Sequence, residues 1–313
     1  MIPLCAPENA KLPTALALGS FDGLHLGHKK VIKAILKEQL GVPTVVSFWP
    51  HPREVLFGES RLKLDLPFEK TFLLEPLGIK QLVLVPFNKS LASKSAETFI
   101  DEILVKTLHA KHIAVGENFR FGRNREGDIC TLKELGESKG IKISIIPVLE
   151  DNYGRLSSSR VRKALTEGDL KHANYLLQRP YTFRGKVERG KGLGKKFGWP
   201  TANLKIDGRK FLPSLGVYAA WAYIANKKER FSAVMNMGPQ PTIDPNSLSV
   251  VEVHLLDKEI NLLGHELIVE PVHRIRSQKK FESIEALCKQ IKIDANLAKE
   301  ILSKSCKTQV TEG

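Results

Sequence analysis

The sequence predicts an α/β chain in two parts: a parallel sheet with crossover helices, then an antiparallel β-barrel with a terminal helix. Three observations predict it. The first half alternates short apolar runs with helical patterns, which implies parallel strands joined by crossovers. After Tyr181 the pattern changes to short runs rich in Val, Phe and Tyr, bounded by Gly, Pro and Asn. The chain is 313 residues long, enough for two domains of ordinary size.

In the first part the strand candidates are Ala15–Leu18, Thr44–Phe48, Gln81–Val85, His112–Val115 and Lys142–Ile146. Helical patterns occupy Lys29–Leu40 and Ala96–Leu108, the second with Phe99, Ile100, Ile103 and Leu104 on one face. A shorter helix follows Thr131, and two more are expected at Ser159–Leu165 and Leu170–Leu177. Arg179-Pro180-Tyr181 ends this region, so the boundary is placed there, giving domains 1–180 and 181–313. The barrel strands are expected at Thr182–Val187, Val217–Ile224, Phe231–Asn236, Val250–Leu256 and Leu267–Pro271. The last helix carries Ile284, Leu287, Cys288 and Ile291 on its apolar face, with fraying expected after Lys304.

Bulk composition excludes several classes. No apolar run reaches the length of a membrane span, and no charged segment followed by an apolar one opens the chain. The four cysteines, Cys5, Cys130, Cys288 and Cys306, lie far apart, which argues against a disulfide framework or a zinc site and predicts a reducing cytoplasm. The net charge of +14 is spread along the chain with no nucleic-acid module, so a lysine-rich surface explains it without nucleic acid. Nothing in the sequence sets an oligomeric state.

The most informative stretch is Gly19-Ser20-Phe21-Asp22-Gly23-Leu24-His25-Leu26-Gly27-His28, directly after the first strand. Ligands on parallel sheets bind at the carboxyl ends of strands. A helix start there offers unpaired N–H groups and a positive dipole end to phosphate, beside Gly19, Phe21 and Gly27. His25 and His28 can donate hydrogen bonds to a triphosphate as charge builds in the transition state. No Walker lysine follows, so this is not a P-loop. The same residues also fit a tight turn with surface histidines, or half of a metal site.

Other segments carry weaker signals. Phe48-Trp49-Pro50-His51-Pro52-Arg53 reads as a rigid extended turn with an exposed histidine. Gly116-Glu117-Asn118-Phe119-Arg120-Phe121-Gly122 leaves a strand end with two rings that suit either the core or a flat ligand, whose edge Asn118 can hydrogen-bond. Ser157-Ser158-Ser159 before Arg160 and Arg162 offers cap hydroxyls and fixed positive charge to a polyphosphate, or simply a capped basic helix. In the second part, the Gly-rich loop 185–195, with Gly192 and Lys195, leads into Pro200-Thr201-Ala202-Asn203. Glu252 in Val251-Glu252-Val253-His254 is either one polar position on a strand face or a base for a primary hydroxyl.

Taken together, these segments resemble the bacterial bifunctional riboflavin kinase/FAD synthetase family over about residues 15–300. The decapeptide is similar to the His-x-Gly-His signature of nucleotidyltransferases, with Ser20 where the family usually has Asn. The resemblance implies a Rossmann-like nucleotidyltransferase domain that adenylylates FMN to FAD, then a barrel kinase domain that phosphorylates riboflavin to FMN. It implies that His25, His28 and Arg162 serve adenylyl transfer, with Ser158 and Ser159 in the phosphate loop and Ser159 in place of Thr. It implies flavin contacts by Asn118 and Phe119, and a lining of the substrate site by the His51 segment. Pro-Thr-Ala-Asn is similar to the riboflavin kinase signature, implying Thr201 and Asn203 on Mg²⁺ and Glu252 as base. Asn236-Met237-Gly238-Pro239-Gln240-Pro241-Thr242 matches a family turn. Leu263 and Gln278 depart from the family pattern, Gln278 replacing an acidic residue. ATP, riboflavin and FMN would be the substrates. The rivals are another nucleotidyltransferase, against which the barrel motif argues, a basic nucleic-acid-binding protein, and a chain with one inactive half.

Overall fold

A computed structural model describes residues 1–190, 198–225, 227, 229–238, 249–258 and 260–310. The chain forms two compact units, Met1–Ser158 and Ser159–Gly313.

The first unit begins with β1 (Leu4–Cys5), β2 (Thr14–Leu18), α1 (Leu26–Ala34) and β3 (Val42–Trp49). Then come α2 (Pro52–Phe57), α3 (Pro67–Leu74), β4 (Gln81–Pro86), α4 (Lys89–Ala92) and α5 (Ala96–Phe99). It closes with β5 (Ala110–Gly116), α6 (Ile129–Glu137), β6 (Lys142–Ile146) and the short pair β7 (Glu150–Asp151) and β8 (Gly154–Arg155). The six-stranded sheet has the order β1-β4-β3-β2-β5-β6 and its pairings are all parallel. All five residues of β2 are buried because both sheet faces are covered. Alternate residues feed two cores. Leu16 and Leu18 pack with Phe99, Ile100, Leu104 and Leu132. Ala15 and Ala17 pack with Val31, Ile32, Ile35 and Leu74.

The five expected strands are all present, Lys142–Ile146 with the expected bounds and the other four longer by one or two residues at one or both ends. α1 starts at Leu26 rather than Lys29, because His25 takes the N-cap position with extended backbone (ψ 170°), and it ends at Ala34 rather than Leu40. The helix expected at Ala96–Leu108 continues past α5 in wider turns over Ile100–Thr107, where Leu108 N–H donates to the Ile103 carbonyl five residues back. β1, α2, α3, α4, β7 and β8 were not expected; most are too short to show a hydrophobic period.

The second unit opens with α7, whose first residue closes the first unit (Ser158–Glu167), and α8 (Leu170–Leu177). The barrel follows: β9 (Phe183–Glu188), β10 (Ala202–Ile206), β11 (Gly216–Ile224), β12 (Arg230–Met237), β13 (Ser249–Leu255) and β14 (Glu266–Arg276), then α9 (Ile284–Val310). The barrel closes in the antiparallel order β10-β13-β12-β11-β14-β9. β10 was not expected as a strand. β14 runs through Pro271, read in sequence as a strand end. A proline is tolerated at a bulge, and the β11–β14 register shifts beside its partner Ala220.

β11 reads as one apolar run because both of its faces are covered: Val217, Ala219 and Trp221 pack against Ala295, Ala298 and Leu302 of α9. The apolar face expected for α9 leads into this stripe: Leu287, Cys288 and Ile291 are half-buried and continue at three- and four-residue spacing into Ala295, Ala298 and Leu302. Ile284 is 51% exposed, and the small residues further along make the close approach. An ion pair holds the helix there. Asp294, 2% exposed, accepts from Arg276 Nη2 at 2.8 Å and Nε at 3.0 Å, and from Gln290 Nε2 at 2.9 Å. The backbone stays helical to Val310, past the fraying expected after Lys304.

Candidate active sites

Where β2 ends, the Gly19 N–H still donates to the Val46 carbonyl at 3.1 Å, and the chain then turns sharply. Phe21 and Leu24 both lie at φ 45°, a region that L-residues adopt only under strain, on the order of 1–3 kcal/mol each. The surroundings fix this shape. The Ser20 carbonyl accepts from Lys70 Nζ at 2.9 Å and Ser47 Oγ at 3.1 Å. Asp22, 5% exposed, accepts the Leu64 N–H at 2.9 Å on Oδ1, and its carbonyl accepts the Ser158 hydroxyl at 2.7 Å.

The turn delivers His25 to the N-cap of α1 and His28 to its first turn. Their rings stack, with centroids 3.7 Å apart and planes 22° from parallel. Gly27 permits this, since a Cβ there would stand 3.1 Å from the His25 ring. Phe21, expected near phosphate, is buried and meets His28 edge-on at 5.4 Å. Both Nδ1 atoms are shielded from solvent and lack a hydrogen bond, which is a costly state for a polar atom unless a ligand relieves it. Burial, and then the positive charge of Arg155, push His25 down to about 4 against the pull of Asp22. Burial and the neighbouring His25 hold His28 well below the usual histidine range. Both rings are therefore neutral at pH 7.

Arg155, which the sequence reading passed over, joins this site. Asn118 accepts from its Nη1 at 3.1 Å and from Nη2, so Asn118 at the end of β5 and Arg155 of β8 are linked beside His25. β2 and β5 flank the point where the strand order reverses, the usual ligand crevice of an open parallel sheet. Phe121 is core, whereas Phe119 is half-buried and stacks on it at 5.5 Å. His51 caps α2: its Nδ1 accepts from Arg53 N–H at 3.2 Å, and Glu54 accepts the His51 N–H at 2.7 Å. In the second unit Ser159 is exposed on α7, and the Arg162 guanidinium sits 5.5 Å over the Phe211 ring.

The barrel assembles a second group. Asn203 of β10 pairs in register with Glu252 of β13, which pairs with Asn236 of β12. Val251, Val253 and Leu255 point into the barrel, so Glu252 and His254 alternate to its outer face. Directly opposed residues share a face, so the two amides flank the carboxylate. Asn236 Nδ2 donates to Glu252 Oε2 at 3.3 Å. Gly190 passes against Asn203, leaving no room for a Cβ beside its amide. Thr201 is exposed just before β10. His254, also missed in the sequence, holds the preceding residue: its Nδ1 meets the Pro200 carbonyl at 2.7 Å, and its ring stands edge-on to Trp199 at 5.1 Å. Gly192, Lys195 and Pro239–Thr242 lie outside the described residues.

A strained histidine turn at the switch point of a parallel sheet, and a carboxylate set between amides on a closed barrel, define a nucleotide-dependent transferase of two domains. The FAD synthetase family model matches residues 8–160, and the riboflavin kinase model matches residues 177–302. The bifunctional riboflavin kinase/FMN adenylyltransferase of Haemophilus influenzae is 35% identical over 295 residues, 91% of this chain and 93% of that one. The Bacillus subtilis protein of the same name is 36% identical over 300 residues, 93% and 92% of the two chains. A crystal structure from Streptococcus pneumoniae, described as a macrolide-efflux protein, matches with a TM-score of 0.80 and 28% identity, covering 94% of this chain and 97% of that one. Among the described residues here, no helix is long and apolar enough to cross a membrane. The chain belongs to the bifunctional riboflavin kinase/FMN adenylyltransferase family, with the FAD synthetase domain first and the riboflavin kinase domain second.

Proposed function

We propose that residues 1–180 adenylylate FMN to FAD and residues 181–313 phosphorylate riboflavin to FMN, with the histidine pair and Glu252 as the respective centres. The observation that supports the first assignment most strongly is the stacked pair, neutral and with unpartnered Nδ1 atoms, at the start of α1. The triphosphate of ATP docks on the free N–H groups of that helix start, beside Gly19 and Gly27. His25 and His28 donate to its oxygens. The roles assigned to Arg162, Ser158 and Ser159 are charge and hydroxyls for phosphate, and Asn118 and Phe119 take the flavin. An FMN phosphate oxygen attacks the α-phosphorus, the bond to pyrophosphate breaks, and FAD and pyrophosphate leave. Positioning and charge neutralisation supply the catalysis.

In the barrel, Glu252 takes the proton of riboflavin's primary hydroxyl as that oxygen attacks the γ-phosphorus of ATP, and ADP leaves. The donors present suit Mg²⁺, which prefers hard oxygen and few protein ligands. The Thr201 hydroxyl and Asn203 amide oxygen would hold it, and no cluster of three His, Cys, Asp or Glu among the described residues competes. When bound, the ion neutralises phosphate charge. Gly192 and Lys195 would line the same nucleotide. The partners are small phosphate-rich molecules rather than nucleic acid, and a cytoplasmic setting suits the free Cys5, Cys130 and Cys288.

Incubation with riboflavin, ATP and Mg²⁺, followed by chromatography of FMN and FAD, tests this. Both products are expected. Glu252→Ala should stop FMN formation while sparing conversion of added FMN to FAD. Loss of both steps in that variant would sink the division of labour.

A further inference from the structure

Gln278, which follows β14, reaches back to the barrel site. Its Nε2 donates to the Met237 carbonyl at 2.5 Å and to Asn236 Oδ1 at 3.3 Å. A side-chain amide nitrogen carries two hydrogens, so one group serves both acceptors. This fixes the sense of the next link. With Asn236 Oδ1 occupied by a donor, Asn236 presents its Nδ2 to the other side, where Glu252 Oε2 lies at 3.3 Å. The three residues come from β12, β13 and the segment after β14, and they form one directional chain that ends on the carboxylate. A carboxylate at 278 has no hydrogen for the Met237 carbonyl, so the amide in this chain is what donates there.

We propose that Asn236 is a positioning residue that holds the Glu252 carboxylate in place for proton abstraction, and that Gln278 sets the direction in which Asn236 donates. Free carboxylates rotate about their last torsion, which is broad and two-fold. A base must stand within about 3 Å of the proton it takes, so holding Oε2 by a fixed donor orients the other oxygen. The role acts through Glu252 and not on the substrate, so it belongs to turnover rather than to binding. This rests on Glu252 being the base.

Steady-state riboflavin phosphorylation by the full chain tests it, with FMN-to-FAD conversion by the same sample as the check on folding. Asn236→Asp keeps the shape and removes the donor; kcat should fall at least tenfold, with KM for riboflavin and ATP unchanged within about twofold. Asn236→Leu should do the same. Gln278→Met should lower kcat about threefold or more in the natural background and have no further effect in the Asn236→Leu background, because its influence passes through Asn236. The proposal is overturned if Asn236→Asp retains kcat within twofold, if the change falls on KM alone, or if the Gln278→Met effect persists without Asn236. Glu252→Gln separates the two ideas. Full turnover in Glu252→Gln would refute the base itself, whereas its loss with an intact Asn236→Asp would refute only the positioning chain.

Discussion

The imidazoles of His25 and His28 lie face to face, 3.7 Å between centroids, beside a Gly27 whose Cβ would crowd the His25 ring at 3.1 Å. Two neutral rings at a helix start form a donor pair whose geometry depends on both members. His28→Ala should therefore abolish FAD formation, and His25→Ala should lower it by at least 10²-fold. Riboflavin phosphorylation should remain intact in both variants, as separate assays of the two steps will show.

Stability should fall on mild acidification. His25 is held at about 4 in the folded chain against an ordinary 6.5, and His51 likewise at about 4. Between these values the unfolded chain binds protons that the folded chain refuses. Stability is therefore full above pH 6.5 and is lost progressively as pH falls towards 4, by about 3 kcal/mol for His25 alone. Urea unfolding at pH 7.5 and 5.0 measures this, and a midpoint that is unchanged or higher at pH 5.0 would contradict it.

Arg155 should be the residue whose loss shows at two places. Its charge depresses His25 and its guanidinium holds Asn118. In Arg155→Ala the His25 titration should move up from about 4 but stay below 6.5, because burial is the larger cause. NMR titration of the ring protons reads this directly. Adenylyl transfer should fall at least tenfold alongside.

Asp294→Ala should loosen α9. It leaves Arg276 without its carboxylate beneath the helix, and breaking such a pair costs roughly 3 kcal/mol. Thermal unfolding followed by riboflavin kinase activity should show the barrel inactivating earlier, while FMN-to-FAD conversion keeps its natural profile.

The strands of both units were legible because their cores repeat along the sequence: Ala15–Leu18 is apolar throughout, and Val251–Leu255 alternates. The residues that complete the sites were not. Arg155 lies in a hairpin with two residues per strand, too brief for any period. His254 looks like an ordinary strand position, and Asn236 stood out only as the start of a turn, until pairing sets them beside Pro200 and Glu252. Gln278 stood out in sequence only as a departure, and its reach to Asn236 is a property of the folded barrel. The face of α9 was legible in the spacing of Leu287, Cys288 and Ile291, but its tightest contact was not. Large apolar residues near its start outweigh the alanines that make the actual contact.

In the barrel, alignment between strands is itself part of the chemistry. Asn203, Glu252 and Asn236 are level only because β10, β13 and β12 pair as they do. A slip by a single residue would exchange Glu252 with Val251 or Val253, turning the acid inward and an aliphatic side chain outward between the two amides. An insertion or deletion within β13 should therefore be less tolerated than almost any point substitution. The closed ring of six strands, which has no free end along which to slide, guards the Glu252 carboxylate as a lock guards its tumblers.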